Sequence, residues 1–95
     1  MHCTITETET RVMDITQEAD ALVNGDRQKD YGRPSENFQD IADIWSVILK
    51  TPVTAEQVAL CMIGLKLARL KHNPQHRDSQ TDICGYAKCL RMLGE

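Results

Sequence analysis

The stretch VALCMIGL, residues 58–65, constrains the fold more than any other part of the chain, because it carries no charged or amide side chain on any face of a helix. Thr54 and Gln57 precede it at the spacing of a capping box, in which a hydroxyl and an amide each satisfy a free backbone N–H. Helical periodicity then continues to about His72. A helix that is apolar all round is normally covered on several sides. We therefore expect this third helix of the chain to be central.

Three further segments show the spacing of apolar residues that is typical of amphipathic helices. No segment alternates between apolar and polar residues as a half-buried strand does, and a length of 95 residues is typical of one domain. The pattern predicts an all-α, four-helix bundle-like single domain over residues 11–95, preceded by a flexible tail at residues 1–10. The other helices are expected at about 11–24, from Pro34 to about Lys50, and from a cap at Asp78 or Ser79 to about Leu93.

Charge and hydropathy argue against several classes of function. The chain has 11 basic and 14 acidic residues, a net charge of −3, which disfavours a general affinity for the nucleic acid backbone. No apolar run approaches the roughly 20 residues that cross a bilayer. The N-terminal MHCTITETET lacks the basic and apolar regions of a signal peptide. We therefore expect no direct nucleic acid partner, no membrane partner and a cytoplasmic location.

The cysteines at positions 3, 61, 84 and 89 do not have the spacing of a zinc or redox motif. His72 and His76 are four residues apart, which would place both on one helical face, but Asn73-Pro74 interrupts the helix between them. Zinc is therefore the weaker interpretation. Reduced thiols in the core, with Cys61 inside the apolar stretch, are the better one.

The second helix has an apolar stripe and an acidic side. Glu36, Asp40 and Asp43 share one face, at spacings of four and three. This face is opposite to the stripe, so Asp40 and Asp43 are expected either to be solvated or to dock on a basic partner. Glu36 lies in the first turn, where a carboxylate also suits the helix dipole. The stripe is formed by Phe38, Ile41, Ala42, Trp45, Ile48 and Leu49.

Two cations, Lys66 and Arg69, enter the apolar third helix together. A buried cation without a partner is costly, so carboxylates or a bound anion should lie nearby. Alternatively, both side chains extend to the surface at the end of the helix. For Lys66 both alternatives stay open, whereas a partnered role is favoured for Arg69.

The fourth helix carries Asp78 and Asp82 four residues apart. Asp82 is flanked on the helical wheel by Tyr86, at the edge of the surface expected to be buried, where a paired carboxylate is plausible. Gly85 beside it would permit close approach of a backbone or a ligand. Asp78 has the simpler explanation of a helix cap. The expected core side of this helix is formed by Ile83, Ala87 and Leu90.

The segment KDYGRPSENF, residues 29–38, connects the first two helices. Turn and helix-start chemistry explains four of its residues, namely Gly32, Pro34, Ser35 and Phe38. A tight turn would hold the others at a helix N-terminus, where backbone N–H groups favour an anion. These others form a candidate site wall and are Lys29, Asp30, Tyr31, Glu36 and Asn37.

Carboxylates and cations on neighbouring helices are typical of Mg²⁺ and phosphate chemistry. One or two carboxylates hold Mg²⁺ while the phosphates of a substrate complete its coordination, and cations neutralise the phosphate charge. The expected metal ligands are Glu36, Asp78 and Asp82, of which Glu36 and Asp82 would also be catalytic. The expected substrate-binding residues are Lys29, Tyr31, Asn37, Lys66, Arg69 and Tyr86. Tyr31 or Trp45 would stack on the base, although Trp45 lies in the core stripe.

The motifs GDRQKDYGRPSENF, VTAEQVALCMIGLKLARL and HRDSQTDICGYA resemble those of a family of small bacteriophage and prophage proteins of undefined function, often labelled MazG-like nucleotide pyrophosphohydrolases. The resemblance spans residues 17–92. It implies an all-α fold, usually dimeric or tetrameric, and Mg²⁺-dependent hydrolysis of nucleoside triphosphates to monophosphate and pyrophosphate. Such enzymes hold the metal with ExxE and ExxD pairs. This chain has Glu36 to Asp40 and Asp78 to Asp82 instead, so its ligand set is incomplete or rearranged.

Two functions are therefore expected of such a chain. The first is Mg²⁺-dependent binding, with or without hydrolysis, of a (deoxy)nucleoside triphosphate in phage nucleotide metabolism. The alternative is a non-catalytic phage accessory protein that binds a host protein or sequesters a nucleotide to counter host defence. A third interpretation makes the charges a buried polar network. A domain this short buries a modest core, so we also expect a homo-oligomer, a dimer or higher.

Overall fold

Helices account for most of the described chain. The computed structural model describes residues 14–25 and 32–95, so the predicted tail at 1–10 and residues 11–13 and 26–31 lie outside the described part. The helices are α1 (Ile15–Asn24), α2 (Pro34–Leu49), α3 (Ala55–His72) and α4 (Arg77–Leu93). The prediction of an all-α single domain is confirmed, and the described residues form four helices and contain no strand.

Side-chain caps set where α1 and α3 begin. Asp14 accepts a hydrogen bond from the backbone N–H of Thr16 at 3.2 Å, while the Gln17 side chain accepts one from the Asp14 N–H at 3.1 Å. Thr54 and Gln57 form the predicted capping box, with donor–acceptor distances of 3.1 and 2.9 Å. Each cap satisfies N–H groups that a helix start leaves free, so both starts are encoded locally.

The start of α4 differs from the prediction. The residue that caps the helix is His76, and not Asp78 or Ser79. The backbone N–H of Ser79 donates a hydrogen bond to His76 Nδ1 at 3.3 Å, and the Ser79 hydroxyl oxygen lies 2.7 Å from the same nitrogen. Gln80 also donates to the Pro74 carbonyl at 2.9 Å. An imidazole nitrogen accepts from the backbone as a carboxylate does. Propensity alone therefore misplaced the helix start by two or three residues.

The central helix of the described chain is α4 and not α3. It packs against α1, α2 and α3, whereas α3 packs mainly against α2 and α4. On the side of α3 opposite to α4, Leu60 is 54 % exposed and Leu67 is 55 % exposed. The prediction that α3 is central and covered on several sides is therefore wrong for one chain, because no described element lies over this side.

The core lies where α2, α3 and α4 meet. The Phe38 side chain is fully buried, and its ring centroid lies 6.2 Å from that of Tyr86 on α4. Tyr86 and Cys89 are buried while Ala87 is exposed, so the predicted core side of α4 is wrong at Ala87. The remaining buried apolar residues of this cluster are Val23, Ala42, Ala55, Val58 and Ala59.

Ion pairs connect α1 to α4. Arg77 donates from Nη2 to Glu18 Oε2 at 2.8 Å, and Lys88 is paired with Asp20. The hydrogen bond from Lys88 lowers the pKa of Asp20 below its ordinary value. Both pairs are largely exposed, so they orient α1 rather than contribute much to its stability.

The second half of α2 extends beyond the core. Ile48 is 67 % exposed and Leu49 is 60 % exposed, so the predicted apolar stripe is wrong at these two positions. The helical wheel identifies which residues share a side with Phe38, but not how far the facing helices extend. The turn that follows is held by Ser46, whose hydroxyl accepts from the Val53 N–H at 2.9 Å.

No helix of the described residues is long and apolar enough to cross a membrane.

Candidate functional surfaces

A buried ion pair joins α3 to α4. Lys66 Nζ lies 2.7 Å from Asp82 Oδ2, and the two side chains are 9 % and 24 % exposed. The pairing arises because both residues lie on the facing sides of two adjacent antiparallel helices. The prediction that a buried cation in α3 needs a neighbouring carboxylate is thereby confirmed for Lys66.

The second predicted cation is placed differently. Arg69 is exposed, and no carboxylate of the described residues lies within ion-pair distance of it. It lines an open surface cleft of about 410 Å³ with His72, Asn73 and His76. The favoured partnered role of Arg69 is therefore not seen, because the last turns of α3 extend to the surface, as the alternative expected.

The three carboxylates predicted to bind Mg²⁺ do not lie together. Glu36 and Asp78 are exposed on α2 and α4, whereas Asp82 faces α3. Nowhere in residues 14–25 and 32–95 are three or more His, Cys, Asp or Glu side chains arranged to hold a metal ion. Within the described residues, Glu36, Asp78 and Asp82 therefore do not form one metal-ligand group, and the Mg²⁺ site stays a prediction.

The other predicted substrate-binding residues are only partly described. Lys29 and Tyr31 lie outside the described residues, and Asn37 is half-buried in the first turn of α2. Tyr86 is 9 % exposed with its ring against Phe38, so little of it is left to contact a ligand. Among the described residues, the contact that the structure shows at Asp82 is its ion pair with Lys66.

The space next to Gly85 is occupied by α1. A Cβ added at Gly85 would lie 3.6 Å from Val23 Cγ2, which is an ordinary van der Waals contact. Val23 itself is 2 % exposed. The close approach expected at Gly85 is therefore made by a neighbouring helix.

The cysteines divide between core and surface. Cys89 is buried, as predicted for a core thiol, but Cys61 is exposed on α3. Cys84 is intermediate, and Cys3 lies outside the described residues. The prediction for Cys61 is wrong, because the side of α3 on which it lies is not covered.

One uncovered surface lies on α2 and is called the α2 outer face; it consists of Glu36, Asp40, Asp43, Ile44 and Val47. All five side chains are exposed, Ile44 at 58 % and Val47 at 77 %. Asp43 accepts a hydrogen bond from Gln39 at 2.9 Å, which orients its carboxylate on the helix surface. The face is acidic in its first half and apolar in its second.

A second uncovered surface lies on α3 and is called the α3 outer face; it consists of Leu60, Cys61, Gly64, Leu67 and Ala68. All five are exposed, and a Cβ added at Gly64 would meet nothing within 4 Å. The five positions recur at spacings of three and four, so they form one stripe along the helix. The stripe carries no charge.

From the sequence, Asp40 and Asp43 were expected either to be solvated or to dock on a basic partner, but neither the apolar half of the α2 outer face nor the α3 outer face was identified as a binding surface. The signal was present, because Leu60 and Leu67 share a side of the α3 wheel that lies about 100–120° from Lys66. All-round apolarity was interpreted as burial on every side. The same apolar pattern also fits a helix of which the chain itself covers only one side.

Comparison with known proteins places the chain among phage proteins. A family model with the description "Domain of unknown function (DUF6378)" matches residues 14–94. The chain is 46 % identical over 81 residues to the Gene 55 protein of Mycobacterium phage D29, covering 85 % of this chain and 54 % of that protein. It is 40 % identical over 82 residues to the Gene 55 protein of Mycobacterium phage L5, covering 85 % and 53 %.

The chain thus spans about half the length of the curated relatives it matches. No solved structure matches it. The resemblance to a phage family of undefined function is confirmed, and the MazG-like label stays a prediction.

Proposed function

The chain belongs to the DUF6378 family, whose description assigns no function, and we propose that it is a non-catalytic bacteriophage accessory domain that binds a basic host protein through the α2 outer face. The observation that carries this proposal is the exposure of Ile44 and Val47 directly beside three exposed carboxylates on one helix. Contiguous exposed apolar surface with a polar border is typical of a protein interaction site.

The chemistry of the face defines the partner. Glu36, Asp40 and Asp43 follow one another at helical spacing, so a partner would present Arg or Lys side chains along the first half of α2. Ile44 and Val47 would fill an apolar pocket of the partner beyond those charges. Apolar anchors beside complementary charges supply affinity and specificity respectively.

The absence of a metal-ligand group in the described residues favours binding over catalysis in this proposal. The phage origin of the Gene 55 relatives supports a host target.

Replacing Val47 with glutamate is expected to weaken host-protein binding by at least about 30-fold, because a charge replaces a central apolar contact. The immobilised chain is incubated with host lysate, and each retained protein is titrated against the wild type and the variant. The double variant Asp40→Lys, Asp43→Lys should also lose binding, and wild-type binding should weaken as salt is raised.

The matched control is Leu22→Glu, which places the same charge at an exposed leucine of α1. It should retain the same host proteins as the wild type. The proposal fails if the wild type retains no host protein, or if Val47→Glu retains the same proteins with equal affinity.

A second candidate function is binding of a (deoxy)nucleoside triphosphate, with or without hydrolysis to monophosphate and pyrophosphate. The observation that favours it is the Lys66–Asp82 pair, because Asp82 keeps a partly exposed carboxylate beside a buried cation. The Mg²⁺ ion would then be carried mainly by the nucleotide phosphates, with Asp82 as a single protein ligand. Glu36, Asp78, Arg69, Lys29 and Tyr31 stay predictions for the same site.

Under this second candidate, a nucleoside triphosphate with Mg²⁺ should raise the melting temperature of the chain, because it would bind the folded state alone. At a nucleotide concentration of about 100 times its Kd, binding stabilises the folded chain by about 2.7 kcal/mol. Melting is followed with each triphosphate, and pyrophosphate release is measured in parallel. The exposed variant Asp40→Asn serves as the control and should respond like the wild type. If no triphosphate changes the melting temperature, this candidate is excluded.

A further inference from the structure

We infer that the α3 outer face binds a second copy of this chain, with the two α3 helices antiparallel and crossing at Gly64. This goes beyond the proposed host contact, which involves α2. Three observations carry the inference: the exposure of the whole stripe, its lack of charge at the centre, and the opposite charges at its two ends.

The centre of the stripe suits a twofold axis. In a symmetric pair, a residue near the twofold axis contacts the same residue, or one close to it in sequence, on the other chain. A charged side chain at the axis would therefore lie against a like charge. The α3 outer face has none. Gly64 lies at its midpoint with open space over its Cα, which lets the two helix backbones approach closely.

The side chains on either side of Gly64 match in an antiparallel pair. Leu60 lies four residues before Gly64, while Leu67 and Ala68 lie three and four residues after it. Antiparallel pairing therefore brings Leu60 of one chain level with Leu67 and Ala68 of the other. Leu60 is 54 % exposed and Leu67 is 55 % exposed in the single chain, so the pair would remove four leucines from water.

The ends of the stripe carry complementary charges. Glu56 lies eight residues before Gly64 and Lys71 lies seven after it, and both are exposed. Antiparallel pairing places Glu56 of each chain level with Lys71 of the other, whereas parallel pairing would place like charges together. The charges thus select the antiparallel arrangement.

The second copy also accounts for the apolarity of α3. The eight residues at 58–65 are uncharged on every side of the helix, as expected if α4 covers one side and a second chain covers the opposite side. A contact between two helices lies at the low end of interface size, below about 1,200 Å² in total. The dimer should accordingly be reversible and depend on concentration.

Sedimentation equilibrium of the full chain over a range of concentrations tests the inference. The wild type should dimerise, and Leu60→Glu should raise the dimer dissociation constant at least about 100-fold, since each dimer contains two such residues. Leu22→Glu on α1 should leave the constant unchanged. Circular dichroism shows whether the variants keep their helices.

A charge exchange provides the second measurement, at positions that do not touch the core. Glu56→Lys and Lys71→Glu should each weaken the dimer, by about 10-fold, because two attractive pairs become repulsive. The double variant should recover the wild-type constant. A chain that stays monomeric at about 1 mM, a dimer unaffected by Leu60→Glu, or a double variant without recovery would each overturn the inference.

Discussion

Replacing Asp82 with alanine is expected to lower the free energy of unfolding by about 3 kcal/mol, because the Lys66 ammonium would be left buried without a partner. The Lys66 side chain is 9 % exposed and its Nζ lies 2.7 Å from the carboxylate that the substitution removes. Asp82 is 24 % exposed, so water would partly replace it, which places the effect at the low end for buried pairs. Urea unfolding at one fixed chain concentration measures the loss.

The double variant Lys66→Met, Asp82→Leu separates two contributions to the free energy of unfolding. One is the destabilisation caused by an unpaired buried charge, and the other is the net stabilisation from the ion pair. Apolar residues of similar volume often replace a buried ion pair without loss of stability, so the double variant should unfold within about 1 kcal/mol of the wild type. The exposed control Asp40→Ala should change stability by about 0.5 kcal/mol at most. A single variant as stable as the wild type would show that the pair does not hold α3 against α4.

Replacing Phe38 with alanine is expected to lower the free energy of unfolding by about 3–5 kcal/mol, because it opens a cavity where three helices meet. Phe38 is fully buried and its ring lies 6.2 Å from that of Tyr86. The domain is small, so this loss is comparable to a large part of its total stability. Thermal melting and urea unfolding would both show it, as a lower midpoint with little change in the denaturant slope.

Two further substitutions on α2 serve as comparisons for the loss of stability expected of Phe38→Ala. Phe38→Leu should cost less than Phe38→Ala, since it leaves a smaller cavity. Val47→Ala should change stability little, because Val47 is 77 % exposed. If Phe38→Ala and Val47→Ala destabilised the fold equally, the core would not lie between α2 and α4.

The two proposed contacts lie on different helices and have separate tests. Val47→Glu changes the α2 outer face and should leave the dimer intact, whereas Leu60→Glu changes the α3 outer face. A chain that dimerises through α3 would present two copies of the α2 outer face to a host protein. Two linked copies bind a partner with repeated sites more tightly than one copy does.

Local features of the sequence account for the elements that were predicted well. The capping box at Thr54 and Gln57 and the proline at the start of α2 act within one turn, so they specify helix starts without reference to the rest of the chain. For Lys66 the sequence left two alternatives open, extension to the surface and burial beside an opposite charge, and the structure shows burial beside an opposite charge. Which carboxylate supplies that charge did not follow from the sequence.

The candidate site could be predicted only in part, because helical wheels give directions and not distances. Asp78 and Asp82 share a face of α4, yet only Asp82 comes opposite a cation. Glu36 is a reasonable metal ligand by type, but it is exposed on α2, and the described residues contain no group of three possible metal ligands. The pairing of faces is a property of the packed helices that one-helix patterns do not contain.

By itself the sequence determined that the chain is all-α and where two of its four described helices, α2 and α3, begin to within a residue or so. The tertiary structure decided that α4 is the central helix, that Asp82 is the partner of Lys66, and that α2 and α3 each keep an uncovered side. The physical reason is that hydrophobic periodicity reports which side chains avoid water. It does not report whether the chain itself or a partner provides the surface that covers them.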